Sequence, residues 1–336
     1  MNVCICGGGN LGHVVAGFVA TDGRYEVSLL TRHPERWAHR LFVETPSQKL
    51  LTGTLKGISN EPAQVVGKAD IVLLCLPGFS IREVLMQIAP HIKPGAAVGS
   101  VFSSTGFFQQ AIDLLPASMP LFGFQRVPFI SRTIEYGHRA SLLGYKNSLQ
   151  MAVEHCPEPD ALRCTLEKML KTPVQLLDSY YEACLSNSNP LLHPARLYSL
   201  WKDWKEGTVY TRVPLFYEEW TEEAARLYIE MDWELHSLTA LLPVRAEMIP
   251  TVLEYYESPD AASLAQKLRS IEAFKHIPAP MKTVGGGYVP DFQSRYFIED
   301  FPFGLALIRQ LARERGVATP VMDVVHAWGN QFLNNQ

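Results

Sequence analysis

A glycine-rich turn begins at residue 7, between two apolar segments. The strand-like stretch Asn2–Cys6 leads into Gly-Gly-Gly-Asn-Leu-Gly, and the helix-like stretch Leu11–Ala20 follows at once. This is the G-x-G-x-x-G pattern, and it is informative because it stands between a strand and a helix. Gly7 permits the tight turn, Gly9 allows backbone to approach a pyrophosphate, and Gly12 lets helix pack on strand. The turn predicts a dinucleotide-binding unit, against the alternative of an ordinary tight turn between strand and helix.

Strand-like and helix-like segments alternate along the first half of the chain. Further strands are expected at Glu26–Thr31, Ile71–Leu76, Ala96–Phe102, Arg139–Tyr145 and Leu149–Val153. Helices are expected at Pro34–Leu41, Ser80–Ile92 and Phe107–Leu115. Such alternation predicts an α/β fold of the Rossmann type, a doubly wound parallel sheet with helices on both faces.

The pattern changes to long amphipathic helices in the second half. Helices are expected at Trp220–Leu241, Ala261–Ile271 and Ala306–Arg315, with Gly316 as the residue that ends the last one. A loop is expected between helices near Gly285-Gly286-Gly287. We therefore predict a dinucleotide-binding domain over residues 1–177 and an all-α substrate domain over residues 178–336. The active site is expected in the cleft between them.

The predicted cofactor contacts follow from the topology of such sheets. Ligands bind at the carboxyl ends of the parallel strands and at the amino end of the first helix. The residues that meet this condition are Gly7, Gly9, Asn10, Leu11, Gly12, Thr31, Arg32, Leu76, Pro77 and Ser103.

The end of the second strand bears on the choice of nicotinamide cofactor. In NAD-binding folds an acidic residue near this position binds the ribose 2′-hydroxyl. Here the strand ends in Thr31-Arg32-His33, without Asp or Glu. Arg32 can pair with a 2′-phosphate through two N–H groups. The sequence favours NADP, with NAD as the alternative if Arg32 only stacks on adenine or points to solvent.

Two polar segments in the second half are candidates for the chemistry. In the first, Asn189 opens a helix-like stretch and His193 follows one turn later on the same face. Histidine can transfer protons near neutral pH, although a histidine between prolines is often structural. In the second, Arg295 suits a carboxylate and Asp300 suits an imidazole. The alternative for this pair is a surface arginine and a helix N-cap.

These segments together resemble the opine dehydrogenases of the octopine/nopaline type. The resemblance covers nearly the whole chain and rests on the glycine turn, Asn189–Pro194 and Arg295–Leu305. In that family a histidine in an Asn-Pro-x-x-His-Pro type segment is the acid/base, and a later aspartate pairs with it. An arginine before that aspartate binds a substrate carboxylate. His193, Asp300 and Arg295 match these positions in type and spacing.

The resemblance implies an NAD(P)H-dependent oxidoreductase that acts on a CH–NH bond. The reaction would be the reductive condensation of a 2-oxo acid with an amino acid through an imine. His193 and Asp300 would be catalytic, and Arg295 and Asn189 would bind substrate.

Two other functions stay open at this point. Ketopantoate reductases and hydroxyacid or glycerol-phosphate dehydrogenases share the layout, but they rely on a catalytic lysine, and no lysine here lies in a segment that resembles theirs. A nucleotide-sensing protein without turnover would keep the glycine turn. The set of His193, Arg295 and Asp300 argues against it.

Composition and net charge argue against two classes of binding partner, nucleic acids and membranes. The net charge of −4 gives no general reason to bind nucleic acid, and no apolar run reaches membrane-spanning length. The six cysteines show no CxxC pair, which indicates reduced thiols and a cytoplasmic location. Asp232, Glu234 and His236 share a predicted helix, which we interpret as a solvated face and not a metal site. Small-molecule substrates are the expected partners, and a homodimer stays open.

Overall fold

The computed structural model describes residues 1–333. The chain divides into two units, Met1–Cys184 and a second one that begins at Leu185. The sequence pattern predicted the boundary between the two domains earlier, between residues 177 and 178. Most of the helix Tyr180–Leu185 lies in the intervening region and belongs with the first unit, which explains the difference.

The first unit contains twelve strands and six helices. The strands are β1 (Asn2–Cys6), β2 (Glu26–Leu30), β3 (Arg40–Glu44), β4 (Leu50–Thr54), β5 (Gly57–Ser59), β6 (Ile71–Leu74), β7 (Ala97–Ser100), β8 (Leu121–Phe124), β9 (Phe129–Glu135), β10 (Arg139–Tyr145), β11 (Leu149–Glu154) and β12 (Val174–Leu176). The helices are α1 (Asn10–Val19), α2 (Pro62–Val65), α3 (Gly78–Ile88), α4 (Phe107–Leu114), α5 (Pro159–Leu170) and α6 (Tyr180–Leu185).

The main sheet of this unit has eight strands in the order β12-β11-β8-β7-β6-β1-β2-β5. All neighbouring strands are parallel except β8 and β11, which are antiparallel. β1 is a central strand, and its residues Val3–Cys6 are buried on both faces, as a parallel sheet requires. The predicted Rossmann-type fold is confirmed, and the glycine turn lies at the carboxyl end of β1.

A second sheet of four strands, in the order β4-β3-β10-β9, was not predicted. The helix expected at residues 34–41 is wrong: Pro34–Arg36 forms a single 3₁₀ turn and β3 begins at Arg40. The turn ends at Trp37, which has an extended backbone and is buried with its ring centroid 4.0 Å from that of His13. The chain then continues as a strand because β3 gains β4 and β10 as partners. Helix α1 packs against this sheet as well as against β1 and β2.

Up to residue 333, the second unit is helical apart from one hairpin and its connecting segments. Its helices are α7 (Asn189–Trp201), α8 (Glu222–Thr239), α9 (Val252–Tyr255), α10 (Ala261–Ser270), α11 (Arg295–Ile298), α12 (Ala306–Glu314) and α13 (Pro320–Leu333). A π-helical turn, Phe301–Leu305, leads into α12. The loop that was expected between helices near Gly285 is instead a hairpin of β13 (Met281–Val284) and β14 (Gly287–Pro290). Helix α7 is the core helix, since it packs against α8, α13 and the π-helical turn.

Candidate active site

The glycine turn has the geometry that the sequence pattern predicts. Gly7 has a φ of +120°, and a Cβ at this position would lie 2.5 Å from the carbonyl oxygen of Cys75. A Cβ on Gly12 would collide with the carbonyl oxygen of Gly7. At Gly9 a Cβ would meet no atom of the described residues within 4 Å, so the backbone there is open. The turn therefore combines a close internal fit with one accessible backbone segment.

The amino end of α1 lies next to that accessible segment. The first turn of α1 carries no acidic side chain, so its N–H groups and the positive end of the helix dipole can hold an anion. The side chain of Asn10 accepts a hydrogen bond from the Thr133 N–H at 2.9 Å, and Leu11 packs against the core. These two residues fix the position of the helix start.

The other predicted cofactor residues lie at the carboxyl ends of β2, β6 and β7. Thr31 is buried and its N–H donates to the Ser59 carbonyl at 3.0 Å, whereas Arg32 is exposed. Leu76 lies beside the glycine turn, and Pro77 precedes the first residue of α3. The topology thus places all of them on one edge of the sheet.

Two serines after β7 show that this edge has unused hydrogen-bonding capacity. Ser103 and Ser104 are buried, and neither hydroxyl has a hydrogen-bond partner among the described residues. Buried polar groups are normally paired, so two unpaired hydroxyls at this edge mark a place where a polar partner is missing. Together with the open backbone at Gly9, they fit an anionic dinucleotide.

His13 is part of this region and was missed at the sequence level. Its Nε2 accepts the Gly137 N–H at 2.7 Å, so Nδ1 carries the proton and donates to the Gly9 carbonyl at 2.9 Å. The neutral imidazole thus ties the glycine turn to the β9–β10 connection. Burial lowers the pKa of His13. The sequence offered no signal for this role, because Gly137 is distant along the chain.

Replacing His13 with phenylalanine tests this connection. The ring contacts with Trp37 are retained, but Gly137 N–H and Gly9 carbonyl lose their partner, and we expect the free energy of unfolding to fall by about 2 kcal/mol. Because the folded-state pKa of His13 is lowered, its contribution is present above the unfolded pKa and is lost as the pH falls through that value toward the folded pKa.

Urea titrations of wild type and variant at several pH values measure this effect. The difference between the two proteins should be largest at about pH 7.5 and smaller at about pH 5.5. His39→Phe is the matched control, since this exposed histidine makes a single hydrogen bond to the Leu55 carbonyl. A difference that does not depend on pH would contradict the assignment of a neutral His13.

In the second unit, the structure brings together two residues that are far apart in sequence. His193 Nδ1 lies 2.7 Å from Asp300 Oδ2, and their side chains are 7% and 16% exposed. His193 belongs to α7, and Asp300 directly precedes the π-helical turn, where its carbonyl accepts the Leu305 N–H at 2.7 Å. Asp300 is the N-cap residue of this turn, but its side chain makes no capping hydrogen bond and binds His193 instead.

The other ring nitrogen of His193 has a partner that the sequence did not reveal. Because a carboxylate can only accept, Nδ1 carries the proton and Nε2 is the acceptor. The Tyr217 hydroxyl lies 3.0 Å from Nε2 and donates to it. Burial raises the pKa of Tyr217, which keeps the hydroxyl protonated. The imidazole is further held edge-on to the Tyr296 ring, at 4.4 Å between centroids.

A buried arginine positions the segment that carries Tyr217. Arg196, one turn beyond His193 on α7, donates to the carbonyls of Phe216 and Glu219 at 2.8 Å and to that of Leu215 at 3.4 Å. It is 2% exposed, and burial lowers its pKa to about 10. One helix therefore supplies the imidazole and fixes the backbone on both sides of the tyrosine.

Of the two predicted substrate-binding residues, Asn189 shares helix α7 with His193, and Arg295 lies on the short helix before Asp300. Asn189 is exposed at the first residue of α7, one turn before His193. Arg295 is the first residue of α11, and its side chain is 86% exposed, with Glu299 at 3.8 Å. The neighbouring Tyr296 contacts the His193 ring.

The acidic residues of α8 have structural roles, and the expectation of a solvated face there is wrong. Asp232 is buried and accepts the Val252 N–H at 2.9 Å, with His236 Nε2 at 3.7 Å. Glu234 accepts the N–H groups of Val321 and Met322 at the start of α13. Both carboxylates accept hydrogen bonds from backbone N–H groups of neighbouring helices.

Comparisons with known proteins agree with this arrangement. The family profile described as "NAD/NADP octopine/nopaline dehydrogenase, alpha-helical domain" matches residues 176–333. Octopine dehydrogenase from Mizuhopecten yessoensis is 28% identical over 99% of this chain and 90% of its own length. The chain is thus similar to the octopine/nopaline dehydrogenases over nearly its whole length. It is an oxidoreductase of the opine dehydrogenase type, with a nicotinamide dinucleotide as cofactor.

Further opine dehydrogenases match this chain over similar lengths. Opine dehydrogenase from Haliotis discus hannai is 28% identical over the whole chain and 91% of its own length. A structure of octopine dehydrogenase with NADH and L-arginine superposes with a TM-score of 0.87 at 27% identity, covering 99% of this chain and 89% of that one.

The alternative enzyme classes match less of the chain or match in fold alone. A profile described as "Ketopantoate reductase PanE/ApbA" matches residues 3–119, which lie within the first unit. A ketopantoate reductase structure from Ralstonia eutropha reaches a TM-score of 0.64 at 18% identity, which shows a shared fold. The second unit, with His193 and Asp300, therefore separates this chain from them.

Proposed function

We propose that the enzyme joins a 2-oxo acid to an amino acid and reduces the resulting imine to a secondary amine. The observation that carries this proposal is the His193–Asp300 pair, with Nδ1 protonated and Nε2 in the acceptor state. Relatives of the chain are named octopine, opine and tauropine dehydrogenases. Solved octopine dehydrogenase structures contain NADH with pyruvate or L-arginine.

His193 acts as the acid and base in this mechanism. As the amine attacks the keto carbon, Nε2 takes up the proton that the nitrogen loses, and it returns a proton to the hydroxyl that departs as water. Asp300 holds Nδ1–H, which fixes the tautomer and stabilises the imidazolium that forms. Burial of both side chains strengthens this electrostatic interaction.

Arg295 and Asn189 hold the substrates in this proposal. The planar guanidinium of Arg295 makes two parallel hydrogen bonds to a carboxylate, and its exposure leaves it accessible to one. The exposed amide of Asn189 binds the keto oxygen or the second carboxylate from its place one turn before His193. Fixing the oxo acid at two points gives the orientation that catalysis requires.

The cofactor is held by the glycine turn and the edge of the main sheet. The open backbone at Gly9 and the start of α1 bind the pyrophosphate, and Ser103 supplies an unpaired hydroxyl. When bound, the nicotinamide supplies the hydride that reduces the imine carbon.

Arg32 makes NADP the preferred cofactor in this proposal. It lies exposed directly after Thr31, where a 2′-phosphate would be bound. We expect Arg32→Ala to raise the Kd for NADPH by about tenfold and to change the Kd for NADH little. Fluorescence titration with both cofactors measures this, and Arg40→Ala, another exposed arginine of the first unit, is the control. Equal losses for both cofactors would contradict a 2′-phosphate contact.

We also propose that the enzyme is located in the cytoplasm. All six cysteines are free thiols, which supports a reducing, cytoplasmic environment. Within residues 1–333, no helix combines the length and the hydropathy that a bilayer span requires.

An amine-dependence assay tests the proposed reaction. NADPH or NADH oxidation is followed with pyruvate, with and without a panel of amino acids. The proposal predicts fast oxidation only when an effective amino acid is present. Full turnover with the oxo acid and no amine would contradict it and would favour a hydroxyacid dehydrogenase.

A further inference from the structure

We propose that the hydroxyl of Tyr217 is a catalytic group that passes protons between His193 and the reacting atoms. This inference rests on the proposed role of His193 as the acid and base. The three groups form one chain of hydrogen bonds, from Asp300 Oδ2 through both nitrogens of the imidazole to the Tyr217 oxygen.

Both ring nitrogens of His193 are engaged, which restricts how a proton reaches it. Nδ1–H is bound to Asp300, and the single lone pair of Nε2 accepts the Tyr217 O–H. The His193 side chain is only 7% exposed. A substrate proton can therefore reach Nε2 in two ways: Tyr217 moves aside, or its hydroxyl transmits the proton.

The packing around His193 and Tyr217 favours transmission. The Tyr217 ring stacks on Phe274, with centroids 4.2 Å apart and planes inclined by 20°. Arg196 holds the carbonyls of Phe216 and Glu219, on either side of Tyr217, at 2.8 Å. Moving the ring would break this stack, and the buried guanidinium restrains the backbone that carries the tyrosine, so the hydroxyl stays on Nε2.

A tyrosine hydroxyl can accept one proton while it donates another, so it can relay a proton without a net change in its own protonation. When the amine attacks, its N–H bond breaks and a new O–H bond forms at Tyr217, while the original O–H proton moves to Nε2. When water leaves, Nε2–H gives its proton to Tyr217 and the hydroxyl proton moves to the departing oxygen. The tyrosine is unchanged after each step, and no electrons are transferred to it.

Tyr217→Phe tests this role because it removes one oxygen and keeps the ring stack. We expect kcat to fall by about one hundredfold, with KM for both substrates and Kd for the cofactor within about threefold of wild type. Tyr198→Phe is the matched control, since this tyrosine also belongs to the second unit and packs on Trp328. Its kcat should stay within about twofold of wild type.

A double-mutant cycle with His193→Gln tests whether Tyr217 acts through His193. If Tyr217 acts through His193, adding Tyr217→Phe to His193→Gln lowers kcat no further. A further loss of similar size in that background would overturn the proposal. So would a Tyr217→Phe variant with wild-type kcat while His193→Gln is impaired. If neither variant were impaired, the role of His193 would fail together with this inference.

A measurement on the wild-type protein covers the case in which Tyr217→Phe does not fold. The ¹⁵N NMR signals of the His193 ring report whether Nε2 accepts a hydrogen bond. The proposal expects Nε2 to be unprotonated and hydrogen-bonded at neutral pH. A signal typical of an unbonded Nε2 would overturn it.

Discussion

His193→Gln is expected to lower kcat by about 10³-fold while the affinity for the cofactor stays unchanged. The glutamine side chain fills most of the space of the imidazole but cannot exchange a proton near neutral pH. Cofactor affinity should be unaffected because the proposed cofactor contacts, the glycine turn and Ser103, belong to the first unit, whereas His193 belongs to the second. Steady-state kinetics and fluorescence titration with NADPH measure the two quantities.

His236→Gln is the matched control for this variant. His236 belongs to the same unit and also lies next to an aspartate, with Nε2 at 3.7 Å from Asp232. It makes no contact with the Asp300–His193–Tyr217 chain among the described residues. Its kcat should remain near that of wild type. If His193→Gln kept wild-type turnover, His193 would have no part in the mechanism.

Asp300→Asn is expected to give the second large effect, a loss of about 10²–10⁴-fold in kcat. The amide is the same size as the carboxylate, but it provides no negative charge for an imidazolium and no longer fixes Nδ1–H as the donor. Substrate KM should change little, because the proposed substrate contacts, Arg295 and Asn189, are unchanged.

Asp232→Asn separates this effect from the general cost of altering a buried carboxylate. Asp232 is 5% exposed and binds the Val252 N–H, so its replacement lowers stability and leaves kcat near wild type. Asp300→Asn should also add no further loss to His193→Gln. Equal kcat losses for both aspartate variants would show that Asp300 has only a structural role.

The sequence predicted those parts of the fold in which local pattern and topology agree. β1 and β10 occur at the predicted bounds, and α1 begins one residue earlier than expected. The helix prediction for residues 34–41 failed because the strand that begins there is stabilised by non-local pairing. Phe42 of β3 pairs with Arg139 of β10. Periodicity within the segment carries no information about such a partner.

The candidate site likewise contains residues that the sequence predicted and one that depends on non-local contacts. The resemblance identified His193 and Asp300, and the structure places them within hydrogen-bond distance. Tyr217 lies outside both polar segments, and its position depends on the carbonyl contacts of Arg196. An arginine that binds backbone leaves no side-chain pattern in the sequence. For this reason the third member of the hydrogen-bond chain was visible only in three dimensions.

The most direct measurement of the central claim is the identity of the reaction product. The enzyme is incubated with pyruvate, an effective ¹⁵N-labelled amino acid and nicotinamide cofactor that carries deuterium on its hydride-donating face, and the products are analysed by mass spectrometry. The account predicts one secondary-amine dicarboxylate for each cofactor oxidised, with ¹⁵N bonded to the carbon that received deuterium. Deuterated 2-hydroxy acid together with unchanged amino acid would contradict it.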